Sequence, residues 1–91
     1  MSAYARQAIT TRYAGPTDHR GSRVIATTGS GLRKIVPWDH ALNVASNHAA
    51  AARLLAVQLG WAGVWHMGGT RDGYAFVCGG STFRVDAQVT T

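Results

Sequence analysis

Residues 44–59 form the one stretch of this chain with the length and spacing of a packed helix, and the segments on either side are short β-branched runs broken by glycine. Asn43 stands where a side-chain oxygen can cap the first turn, and Gly60 where a helix ends in a left-handed residue. Ala45, Ala49, Ala52, Leu55, Ala56 and Leu59 recur at helical spacing and define an apolar face, small enough to let the helix approach a sheet closely. Asn47, Arg53 and Gln58 are expected nearer solvent. Before the helix, Arg6–Tyr13, Ser22–Thr28 and Leu32–Val36 read as strands, separated by Gly15-Pro16 and by Gly29-Ser30-Gly31, a hairpin connection. After it, Ala62–Met67 and Tyr74–Cys78 read as two more, with Asp72-Gly73 as the turn signal between them. Phe83–Val89 has the pattern of a short edge strand. The expected fold is α+β in two layers: a single helix packed on a small antiparallel sheet, ordered β-β-β-α-β-β, in a single domain spanning 1–91.

The length allows one core and no second. Hydrophobic residues make up 46% of the chain, but alanine supplies many of them and contributes little burial. The expected core therefore rests on Ile9, Val24, Ile25, Ile35, Val36, Leu42, Leu54, Leu55, Leu59, Trp61, Val64, Trp65, Phe76, Val77 and Phe83. Each large side chain contributes roughly 1.5–3 kcal/mol when buried, so their total only narrowly offsets chain entropy. A homodimer would add to it; monomer and homodimer both stay open. Cys78 is the only cysteine, which rules out an internal disulfide and fits a reducing cytosol. No apolar run reaches the length of a membrane span, and the N-terminus lacks a signal peptide's apolar block, so a soluble cytoplasmic protein is expected.

Charge is distributed unevenly. Residues 1–34 carry Arg6, Arg12, Arg20, Arg23, Arg33 and Lys34 against Asp18 alone, whereas residues 35–91 balance three arginines with three aspartates. A cationic region on an otherwise neutral domain attracts an anionic partner. Arginine outnumbers lysine eight to one, and the guanidinium fork suits both phosphates and carboxylates, as it also suits a GC-rich genome. The loop TRYAGPTDHRGSR, Thr11 to Arg23, concentrates arginines around Tyr13 and His19. Such a loop serves a phosphate backbone, a protein hot spot or a solvated turn with Tyr13 in the core. The candidate partner-binding residues are Arg12, Tyr13, Arg20, Arg23, Arg33 and Lys34. Trp38, between Pro37 and Asp39, is a possible anchor if exposed; Trp61, after Gly60, is expected to fold back onto the helix end.

Catalysis and metal binding find little support. His40 and His48 would stand roughly 12 Å apart along a helix, too far to share an ion, and no cysteine or carboxylate cluster completes a site. His48 is expected to pack near the helix start with a ring nitrogen on a backbone group. Cys78 lies in an apolar strand, where a thiol behaves as a small hydrophobe. Neither glycine run leads into a helix with a phosphate-binding lysine. No catalytic residue, metal or cofactor is assigned, and the chain is read as a non-enzyme.

The succession TRYAGPTDHRGSR, VPWDHAL and NHAAAARLLAVQLGW, over roughly residues 10–61, resembles a group of small proteins encoded by phages, prophages and plasmids. The resemblance implies an origin on a mobile genetic element, whose small non-enzymatic proteins include inhibitors of host defence such as anti-CRISPR proteins. The expectation is then an accessory protein that binds and blocks a host nucleoprotein complex, a CRISPR effector among the candidates, through its basic N-terminal surface. A direct nucleic-acid binder is the alternative, and a small Cys/His enzyme a distant third.

Overall fold

Asn43 and Gly60 set the limits of the helix as their positions predict. The Asn43 side chain accepts the Ser46 amide at 2.8 Å, which satisfies one donor that the first turn leaves open. Gly60 adopts φ 73°, and the Gly60 and Trp61 amides turn back to the Val57 and Ala56 carbonyls at 3.1 and 2.9 Å. A side chain at Gly60 would be strained in that left-handed conformation, so glycine closes the helix at least cost. The following Trp61 is thereby folded onto the core, half-buried, as the sequence led us to expect.

The computed structural model describes residues 7–79. They form β1 (Ile9–Ala14), β2 (Arg23–Thr28), β3 (Arg33–Pro37), α1 (Val44–Leu59), β4 (Trp65–Gly69) and β5 (Gly73–Cys78). The strands make one sheet in the order β3-β2-β1-β5-β4, every neighbouring pair antiparallel. The chain is a two-layer α+β fold in the expected element order. Strand limits move by at most three residues; β4 shifts furthest, because Gly68 and Gly69 join the ladder and leave a turn held by Thr70. The strand expected at Phe83–Val89 lies outside the described residues.

Alternation along each strand gives the sheet two unlike faces. The helix packs on the face that carries Ile9 and Thr11 of β1, Val24 and Ala26 of β2, Val36 of β3 and Phe76 of β5. It lies over β1, β2 and β3, touches β5 lightly and leaves β4 largely uncovered. Among the described residues, Ile9, Val24 and Leu55 are the largest fully enclosed side chains. Alanines 51, 52 and 56 let the helix approach the sheet closely.

The buried stripe is turned relative to the one the apolar residues define. It runs through Asn47, His48, Ala51, Ala52, Leu55 and Ala56, while Ala45, Ala49 and Leu59 are half-buried. Asn47, expected toward solvent, is only 4% exposed. Its Oδ1 accepts the Asp39 amide at 2.8 Å, and its Nδ2 donates to the carbonyls of Asp39, Leu42 and Asn43 at 2.9, 3.2 and 3.1 Å. With both ends of the amide engaged, the cost of burying it is met, and residues 39–43 are fastened to the first turns of α1. Arg53 and Gln58 do face solvent. The expected core contracts as well. Ile35 and Val77 stand on the helix-free face, Leu54 on the outer side of α1, and Leu42 and Val64 in connections, and all five are exposed.

Candidate binding surface

Two of the predicted cations fall on the helix-free face through simple alternation. Arg12 of β1 is opposite Ile25, which is opposite Ile35 of β3, and Arg33 is in the next row, opposite Thr27. Two strand spacings and one pleat repeat place the Arg12 and Arg33 backbones roughly 12 Å apart. Both residues are exposed. Ile35 offers apolar surface beside Arg33 on β3, whereas Ile25, which with Thr27 lies between the two arginines, is buried. No acidic residue stands on any of the described strands, so no strand residue among those described opposes the field of the arginines.

The long β1–β2 connection adds a third cation. Thr17 organises it: its amide donates to the Arg20 carbonyl at 2.7 Å, and its Oγ1 accepts the His19 and Arg20 amides at 3.3 and 3.0 Å. Arg20, Gly21, Ser22 and Arg23 then line a shallow depression of about 420 Å³ with Ile35 and Pro37. Arg20 is thus joined to the helix-free face at its β3 end. Arg23 has a different task. One guanidinium nitrogen donates to the carbonyls of Gly15 and Gly21, both at 3.3 Å, and its buried Nε has no partner among the described residues. It holds the connection in shape, with part of its fork already engaged.

The remaining predicted residues lie on the helix side. Tyr13 is next to Arg12 in sequence and therefore on the opposite face. It is 47% exposed, and its hydroxyl donates to Ser22 Oγ at 3.0 Å. Lys34 pairs with Ala26 and is half-buried at the β3 edge. Trp38 is half-buried too. Its amide donates to the Ser22 carbonyl at 3.0 Å, and its ring lies edge-on to Tyr13 at 5.2 Å and to His48 at 6.2 Å. Trp38 belongs to an aromatic row that continues through His48 to Tyr74 at 4.9 Å and Phe76 at 6.5 Å. The structure therefore gathers Arg12, Arg20, Arg23 and Arg33 on one side and sets Tyr13, Lys34 and Trp38 on the other. Ile35 and Thr27 complete the cationic face; the period-two pattern of β2 and β3 marks them in the sequence once register is known.

His48, 2% exposed, pairs its Nδ1 with Thr11 Oγ1 at 2.7 Å, a side chain where a backbone group was expected. Burial away from water lowers its pKa from the ordinary histidine value, so the neutral ring is favoured. Cys78 is buried, with its Sγ 3.9 Å from the Ala62 carbonyl. Among the described residues, no three His, Cys, Asp or Glu side chains meet as a metal cluster requires, and no helix is long and apolar enough to cross a membrane. No family model, curated protein or solved structure matches this chain.

Proposed function

We propose that this chain is a stoichiometric binding protein that docks its helix-free sheet face on an acidic protein surface. One observation carries the reading: Arg12 and Arg33 share with exposed Ile35 a sheet face on which the described strands bear no acid. Arginine beside aliphatic surface is the make-up of a protein hot spot, where the fork pairs with carboxylates and the apolar part excludes water. Its resemblance to phage- and plasmid-encoded proteins directs the search to host nucleoprotein complexes, CRISPR effectors first. Inhibition there is steric and electrostatic: a subunit covered by this face no longer admits target DNA or a recruited nuclease.

Direct nucleic-acid binding is the second reading, favoured by the same arginines. The distribution of rings counts against it. By alternation the described strands present no Phe, Tyr or Trp on the cationic face, and Tyr13 and Trp38 are on the other side, so bases would find no stacking platform there. Co-purification of the chain with effector complexes, with Arg12→Glu/Arg33→Glu as control, tests the first reading. Failure to capture any complex, together with no relief of phage restriction, removes it. Binding to random-sequence duplex with a log K against log salt slope of about −3, as three phosphate contacts would give, establishes the second instead.

A further inference from the structure

The uncovered β4 strand and the groove beside it form a second surface, independent of the cationic face. The Gly79 amide donates to the Val64 carbonyl at 3.1 Å, and the Thr70 amide to the Gly73 carbonyl at 2.9 Å. In an antiparallel ladder these bonds fix the parity: even-numbered residues of β4 exchange bonds with β5, and the N–H and C=O groups of Trp65, Met67 and Gly69 point to the outer edge. Among the described residues β4 is paired with β5 alone. The same odd-numbered positions turn Trp65 and Met67 into a groove of about 290 Å³ between β4 and α1, walled also by Trp61 and Phe76. The Trp61 and Trp65 rings stack at 6.3 Å, 19° from parallel, and Met67 is 42% exposed. Among the described residues, Arg53 is the one charged side chain lining the groove.

We infer that β4 is a strand-addition site for an extended segment of a partner protein. The outward edge groups, unpaired among the described residues, supply backbone bonds, and the groove receives every second side chain. The register dictates the segment. Residues opposite Trp65 and Met67 are apolar, and an in-facing carboxylate answers Arg53. A second copy of this chain would bring the same cation to the groove, so charge favours an acidic-apolar partner strand instead.

The probe is a nine-residue peptide with Val, Phe and Glu at alternate positions and Thr between them, titrated into the full chain while tryptophan fluorescence is followed. In antiparallel addition the in-facing residues also direct their amides at β4. N-methylation at those positions is expected to weaken binding at least tenfold, and N-methylation at the intervening threonines less than threefold. Arg53→Glu should lower affinity for the Glu peptide and raise it for a Lys counterpart. Met67→Pro removes one outward amide while sparing the β5 ladder, and should abolish binding. No binding at millimolar peptide, or equal sensitivity of the two N-methylated sets, overturns the proposal. So does a dimer that Met67→Pro dissociates, since the occupant would then be a second copy.

Discussion

Replacing Asn47 tests whether the connection from Trp38 to α1 is held by a single side chain. The Asn47 amide accepts one hydrogen bond and shares its two N–H groups among three carbonyls, which amounts to about three full bonds. At about 0.5–1.5 kcal/mol net for each, the sum is about 3 kcal/mol. Asp39 is exposed, so its backbone groups rehydrate when released, and the expected cost of Asn47→Ala falls to about 2 kcal/mol. For a domain of this size that lowers Tm by about 8–16 °C. Asn47→Asp separates bonding from packing. A carboxylate there faces three carbonyl oxygens, so its folded pKa rises above the unfolded value, and the variant gains stability as pH falls through that window. Urea melts of wild type, Asn47→Ala and Asn47→Asp at pH 7 and pH 4.5 give the answer. If Asn47→Ala lies within about 0.5 kcal/mol of wild type, or if Asn47→Asp shows no relative gain in acid, the clamp does not exist.

His48 predicts the opposite pH trend for the wild-type chain. Its folded pKa is lowered by burial, so the unfolded state binds the extra proton. Stability is complete above the ordinary pKa of about 6.5 and falls as pH drops below it, by at most about 1.4 kcal/mol per pH unit; His48→Gln should flatten that slope in urea melts between pH 7 and 5. Gly73→Ala would drive a Cβ into the Thr11 carbonyl and to 3.1 Å from His48 Cε1. Overpacking against backbone makes this substitution cost about 3 kcal/mol, and a melt within about 1 kcal/mol of wild type contradicts that. Arg12→Glu/Arg33→Glu alters two exposed residues, so stability should stay within about 0.5 kcal/mol, while partner capture drops at least tenfold.

The helix limits, the element order and the β2–β3 hairpin were legible because each rests on local chemistry: the cap at Asn43, the left-handed Gly60, and glycine between two β-branched runs. The buried stripe of α1 was not. A reading of apolar residues alone turns the helix toward Ala45 and Ala49, whereas Asn47 and His48 are buried because partners outside the helix, Asp39 in the preceding connection and Thr11 in β1, satisfy them. The cationic face was half legible. Clustering along the chain pointed to arginines that the fold gathers on one side but could not separate Arg12 from Tyr13, since adjacent strand residues take opposite faces. The binding of Arg23 to its own loop carbonyls, and the outward amides of β4, depend on tertiary geometry that no local pattern carries.

The off-centre position of α1 divides the sheet into unequal halves. β1, β2 and β3 share the helix as a lid, whereas the β4–β5 hairpin is braced by the β1–β5 ladder, by Phe76 in the core and by Trp65 and Tyr74 at its margin. Opening energies follow such differences in bracing, so amide hydrogens of β4 should exchange with deuterium well before those of β1. The hairpin is then a leaf hinged on the central strand, and anything that fastens its free margin tightens the half of the protein that yields first.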